Sequence, residues 1–271
     1  MLPRWTKRII FYMLGSVLVA GASGQSVAAD QAIDLPLSSG VKQRVLWSAP
    51  GNPRGTIVML PGGAGNVGIE RDGDLKRDHN FVIRTRAAWN ARGYAVLIPD
   101  TIADQNLRGV RSSPSYGQLV EDLVRFAHGQ VRAPVFLLGT SQGSIAAMNG
   151  AAHATPGSIN GVVLTESVSV MGGSGETVLD ADPGRVRVPA LVVANRDDHC
   201  NVAPPANAPK IGAAMTASPD VRVLLVSGGI DRDGNDCGSL SPHGYYGIEP
   251  KVVGDIADWM DAHLKPSRTL R

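Results

Sequence analysis

From Val41 to Leu264 the chain alternates two hydrophobic patterns. One is a short unbroken apolar run, as in Ile57-Val58-Met59-Leu60, Val135-Phe136-Leu137-Leu138 and Leu191-Val192-Val193-Ala194. Runs of this kind suit strands covered on both faces, the condition of a parallel sheet held between helical layers. The other pattern is a longer stretch in which apolar positions recur every three or four residues, the mark of an amphipathic helix. Their alternation predicts an α/β fold with a mostly parallel sheet and helices on both faces.

Two early strands are expected at Ile33 to Leu37 and Val41 to Ser48, and a third at Gly55 to Leu60 running into Pro61-Gly62-Gly63. A single helix is expected from Phe81 to Arg92, stopped by Gly93. Further strands are read at Tyr94 to Ile98, Pro134 to Leu138, Gly161 to Leu164, Ala190 to Ala194 and Arg222 to Val226. Helices are read at Ser115 to His128 and Gln142 to His153, with a last one opened by Pro250, whose Val253, Ile256, Ala257, Met260 and Leu264 share a face. The segment between Leu164 and Leu191 is short and rich in glycine, which leaves no room for a large cap domain and predicts an open site.

The first 29 residues break the pattern. Arg4, Lys7 and Arg8 precede an apolar run from Ile9 to about Ala20, and small residues end it at Val27-Ala28-Ala29. This is the three-part plan of a secretory signal peptide, and the run is shorter than the roughly 20 residues that span a bilayer. The expected organisation is a leader over residues 1–29, a domain over 30–271, and a periplasmic or secreted product with no membrane span after cleavage near Ala29. Loss of the leader removes three positive charges and takes the formal charge from +2 to −1. No basic run remains that would track phosphates, so nucleic acid is not expected as a partner. Cys200 and Cys237 both lie in the mature part, where an oxidising compartment favours a disulfide.

The chemistry centres on Gly139-Thr140-Ser141-Gln142-Gly143, a GxSxG pentapeptide between a predicted strand and a predicted helix. A serine on such a turn projects its hydroxyl, and the flanking glycines let neighbouring backbone approach. A nucleophilic serine needs a general base and the base an orienting carboxylate, in the chain order serine, acid, histidine. Asn195-Arg196-Asp197-Asp198 follows the strand at Leu191, and His243 lies after the next strand and before the last helix. Asp197 and Asp198 compete for the acid role. Asp198 is favoured because it directly precedes His199-Cys200, which would pin the loop. The N–H groups of Gly63 and Gln142 fit an oxyanion hole. No cofactor is required, and His199 beside one cysteine makes a poor zinc site, so no metal is expected. The glycine-rich Pro61 to Gly65 turn lacks both the GK[ST] ending of a P-loop and a dinucleotide fingerprint.

On Gly62 and Gly63, the Gly139 to Gly143 elbow, Asp198 and His243, the chain resembles the α/β-hydrolase superfamily over about Val41 to Leu264. The resemblance implies an eight-stranded sheet, a site at the carboxyl ends of its strands, and cleavage of an ester, thioester, amide or lactone in a small-molecule acyl substrate. A nearer likeness is to an uncharacterised branch of esterase-like and dienelactone-hydrolase-like proteins carrying Asn80-Phe81-Val82-Ile83-Arg84, the same elbow and Asp198-His199-Cys200. Cutinase-like hydrolases are similar in tying the acid and histidine loops by a disulfide, which implies a Cys200–Cys237 bridge here. Gly63 stands where cutinases carry an aromatic residue, and the histidine loop from Gly228 to Pro242 is longer than usual.

The leading expectation is a serine hydrolase of carboxylesterase type. Its rivals are an amidase, peptidase or acyltransferase on the same triad, and a non-catalytic exported binding protein in which Ser141 is only a turn residue. A third reading takes Ser112, Ser113, Ser115 and Tyr116 with Arg108 and Arg111 as an anion-binding or partner surface.

Overall fold

The computed structural model describes residues 30–232 and 234–264. The predicted leader lies outside the described residues. Eight strands form one sheet: β1 (Gln31–Pro36), β2 (Lys42–Ser48), β3 (Gly55–Leu60), β4 (Tyr94–Pro99), β5 (Val135–Thr140), β6 (Gly161–Thr165), β7 (Ala190–Asn195) and β8 (Val221–Val226). Their order is β1-β2-β4-β3-β5-β6-β7-β8. β2 pairs antiparallel with β1 and β4, and every other neighbouring pair is parallel.

The unbroken apolar runs follow from this topology. In β5, Val135 and Leu137 point into one hydrophobic layer and Phe136 and Leu138 into the other, and β3 and β7 divide their side chains in the same way. The first layer packs against α3 (Pro114–Gln130), α4 (Gln142–His153) and α5 (Ala208–Ala214), and the second against α1 (Phe81–Arg84), α2 (Arg86–Ala91) and α6 (Glu249–Ala262). Both faces being buried, a period-two pattern is absent from the central strands. Among the described residues, the segment from Glu166 to Pro189 holds only two short 3-10 turns, Val178–Asp180 and Pro183–Arg185, so no large cap covers the sheet. No described helix is long and apolar enough to cross a membrane.

The expected helix from Phe81 to Arg92 is instead two helices broken at Thr85. The Thr85 hydroxyl donates to the Phe81 carbonyl at 2.7 Å and accepts from the Trp89 indole N–H at 3.1 Å. A threonine bonding back to the preceding turn bends a helix. α5 was not expected at all, since Ala208-Pro209-Lys210 carries a proline at its start and too few apolar positions to show a period.

Phe136 links the sheet to the α6 layer, with its ring 6.5 Å from Tyr94 and 6.3 Å from Trp259 in edge-on arrangements. Phe136→Ala is expected to lower unfolding free energy by about 3–5 kcal/mol, the usual loss for a fully buried ring, measured by urea denaturation.

Candidate active site

Gly62 and Gly63 sit just beyond the carboxyl end of β3, Ser141 just beyond β5 and Asp198 just beyond β7, while His243 lies further along, in the long loop after β8. This is where open α/β sheets place ligands. Ser141 joins β5 to α4 at φ 53°, ψ −123°, a region an L-residue occupies only when its surroundings force it. The force is close packing. A Cβ on Gly139 would lie 2.1 Å from the Gly143 carbonyl oxygen, and one on Gly143 would lie 2.0 Å from that of Leu60. Only glycine permits either approach, so the pentapeptide's two outer positions are fixed by sterics, and the turn between them is held by a bond from the Ser141 N–H to the Thr165 carbonyl.

His243 and Asp198 are both buried, and His243 Nδ1 lies 2.8 Å from Asp198 Oδ2. The other Asp198 oxygen accepts the Cys200 N–H at 2.8 Å. With Nδ1 turned to the carboxylate, His243 Nε2 is buried without a hydrogen-bond partner, and His243 lines the same cavity as Ser141. That cavity, of about 980 Å³, is also bordered by Gly63, Gln142, Asn80 and Arg108. Among the described residues, neither the Gly63 nor the Gln142 N–H donates to a carbonyl of a turn or loop. The Gln142 N–H also stands at the first turn of α4, where helix donors are free.

The two aspartates part company. Asp197 accepts the Gly228 N–H at 2.6 Å and so ties the acid loop to the start of the histidine loop, while Asp198 alone faces the imidazole. A disulfide joins Cys200 to Cys237 across the same two loops. His199, the poor zinc candidate, is exposed.

Several residues that shape the site carried no chemical signal in the sequence. The Asn195 amide donates to the Gly228 and Pro242 carbonyls at 2.8 and 3.0 Å, clamping the base of the histidine loop. Arg84 ion-pairs with Glu249 at 2.9 Å and donates to the Gly244 carbonyl, which connects α1, α6 and the residue after His243. Asp100, buried at the end of β4, accepts the N–H groups of Val67 and Ile69 and so holds the chain that follows the Gly62-Gly63 turn. Glu166, buried at the end of β6, packs against Asp198 and His243. Such roles rest on contacts between distant segments, and Asn195 and Asp100 at strand ends were the only positional hints.

The surface reading of Arg108 and Arg111 is corrected in part. Arg111 is fully buried, with Nη2 3.2 Å from the Pro61 carbonyl, because it supports the Gly62-Gly63 turn from behind. The buried Glu176 carboxylate accepts the N–H groups of Gly109, Arg111 and Ser112 and the Ser112 hydroxyl, which fixes that loop from the other side. Ser113 caps α3 by accepting the Tyr116 N–H. Only Arg108 of the two arginines remains exposed, at the cavity rim.

No sequence-family model matches the chain, and no curated protein matches it in sequence. Solved structures do. An esterase from Pyrococcus furiosus superposes with a TM-score of 0.64 at 12% identity, over 87% of this chain and 91% of that one. A dienelactone hydrolase from Anabaena variabilis gives 0.61 at 16% identity, over 88% and 100%. Est1E from Butyrivibrio proteoclasticus, solved with ferulic acid bound, gives 0.59 at 14% identity, over 86% and 98%. With its strand order, its strained serine turn between β5 and α4 and these neighbours, the chain has the α/β-hydrolase fold.

Proposed function

We propose that the chain is a serine hydrolase that cleaves a carboxylic ester through Ser141, His243 and Asp198. The observation that carries this reading is the pairing of a strained serine with a buried histidine on one cavity, the histidine's Nδ1 bound to an aspartate and its Nε2 free. In the proposed reaction the Ser141 hydroxyl attacks the acyl carbonyl carbon and His243 Nε2 takes its proton. Charge gathering on the carbonyl oxygen meets the N–H groups of Gly63 and Gln142. The C–O bond to the leaving alcohol breaks as the imidazolium returns the proton to that oxygen. Water, deprotonated by the same histidine, then attacks the acyl carbon, and the bond to Ser141 Oγ breaks as the imidazolium returns that proton to the serine oxygen. In the free enzyme Nε2 and the serine hydroxyl are not yet hydrogen-bonded, and such contacts tighten when substrate fills the cavity.

The cavity presents both polar and apolar side chains to a substrate. Asn66, Arg77, Asp78, His79, Asn80 and Arg108 border it beside the apolar Phe81, Ile83 and Val202, and a short acyl group is the proposed preference. Esterase and dienelactone hydrolase activities named for the structural neighbours are in keeping with this class. Export belongs to the same proposal: a disulfide persists in an oxidising compartment, which agrees with the leader expected over residues 1–29.

Labelling with a fluorophosphonate, which reacts with an activated serine, tests the reading. Wild-type protein is expected to label stoichiometrically, and Ser141→Ala and His243→Ala to lose labelling together with hydrolysis of chromogenic short-chain esters, by on the order of 10⁵–10⁶ in kcat. A wild type that does not label contradicts the proposal. The two aspartates separate in the same assay: Asp198→Asn is expected to cut kcat by on the order of 10⁴, while Asp197→Asn stays within about tenfold of wild type, since it touches only a loop N–H.

The Cys200–Cys237 bridge closes a loop of sequence separation 37, worth on the order of 4 kcal/mol in chain entropy. The Cys200→Ala/Cys237→Ala double variant is expected to melt lower and to lose kcat by at least about tenfold, because a displacement near 1 Å in a catalytic constellation has such effects. Calorimetry beside the ester assay reads both.

A further inference from the structure

The proposed triad does not use Glu166, yet Glu166 is fully buried against it. It follows β6 directly, at φ 41°, so the backbone adopts the left-handed region to turn this side chain inward rather than toward solvent. One oxygen of Glu166, one of Asp198 and a ring nitrogen of His243 all lie within 4.8 Å of one another. The donors around the two carboxyl groups are unequally shared. Asp198 receives the His243 ring and the Cys200 N–H, one on each oxygen. Glu166 Oε1 receives the Asn195 N–H at 2.8 Å, while Oε2 is buried with no donor at all. The Tyr245 hydroxyl donates to the Val193 carbonyl at 3.1 Å and also lies against the Glu166 carboxyl, where it opposes, more weakly, the upward push of burial and of Asp198.

Two carboxylates this close in a dry site cannot both ionise, and the one with more donors keeps the charge. We propose that Glu166 is a positioning residue, protonated on Oε2, that donates a hydrogen bond to Asp198 and so makes the acid of the triad a carboxylic acid–carboxylate pair with one negative charge. This inference rests on the triad reading above. Burial, and after it the neighbouring Asp198 charge, push the Glu166 carboxyl well above the ordinary carboxylate range, in the same direction. The bare Oε2 is thereby explained: it is a donor and needs none. The pair would hold Asp198 in the rotamer that faces His243 and spread its one negative charge over two residues.

The test is the pH dependence of fluorophosphonate labelling rate in wild type, Glu166→Gln and Glu166→Leu, together with the infrared carbonyl band of a protonated carboxyl. Glutamine is neutral like the protonated acid, accepts from Asn195 and can donate to Asp198, so the midpoint of its acid limb is expected to stay within about 0.3 pH units of wild type. Were Glu166 ionised, the same change would remove a negative charge beside His243 and lower the midpoint by about one unit or more, which would overturn the proposal. Leucine removes the donor and concentrates the charge of Asp198 on the imidazole, so its midpoint is expected to rise and its rate to fall by roughly tenfold; a leucine variant indistinguishable from wild type also overturns it. The infrared band is expected in wild type at neutral pH and absent in Glu166→Gln. If wild type fails to label, the hydrolase reading is lost, and the presence or absence of that band still decides whether Glu166 holds the proton.

Discussion

The hydrogen bond between Asp198 and His243 spans two loops that the sheet alone does not hold together. β7 and β8 deliver their chains side by side, with Asn195 opposite Val226 in the ladder, but His243 lies well beyond the end of β8. The long return is therefore fastened at several points: the disulfide from Cys200 to Cys237, Asp197 to the Gly228 N–H, the Asn195 amide to Gly228 and Pro242, and Arg84 to the Gly244 carbonyl. A single buried pair of side chains has thus drawn in contacts from α1, α6 and both loops. Removing one partner of such a pair leaves an uncompensated buried polar group, which is costlier than never having made the contact.

The opposite wall of the cavity obeys a different constraint, that of space. The serine turn exists because Gly139 and Gly143 let β3, β5 and α4 approach closer than any side chain would permit. The Gly62-Gly63 turn faces it, steadied by Arg111 from behind and continued by a chain whose N–H groups end on Asp100. One wall of the site is rigid through sterics and the other through polar ties, which suits the proposed reaction, in which the serine is fixed and the histidine carries a proton.

Much of this was legible in the sequence, for identifiable reasons. Central strands buried on both faces leave unbroken apolar runs, and β3, β5 and β7 stood out on that ground. The elbow, the aspartate loop and His243 are local in sequence and ordered along the chain, so they could be placed before any coordinates. The choice between Asp197 and Asp198 could not, because adjacent residues in a loop differ only in direction, and direction is set by the Gly228 contact. Thr85 breaks its helix through bonds to Phe81 and Trp89, only four residues away on either side, which a hydrophobic period does not register; Arg111 buried where a surface arginine was expected and Glu166 beneath Asp198 are decided by partners tens of residues away. Glutamate after β6 looks like any polar strand end until the left-handed turn at φ 41° brings it inside.

A covalent step at Ser141 is the core of the proposed reaction. Mass spectrometry of protein quenched in acid during turnover of a short-chain chromogenic ester reads that step directly. The expected result is a peptide containing Ser141 that is heavier by the acyl group, more abundant at early times and absent from His243→Ala. Ester hydrolysis at full rate with no acyl adduct on that peptide, or with the adduct on another residue, would contradict it.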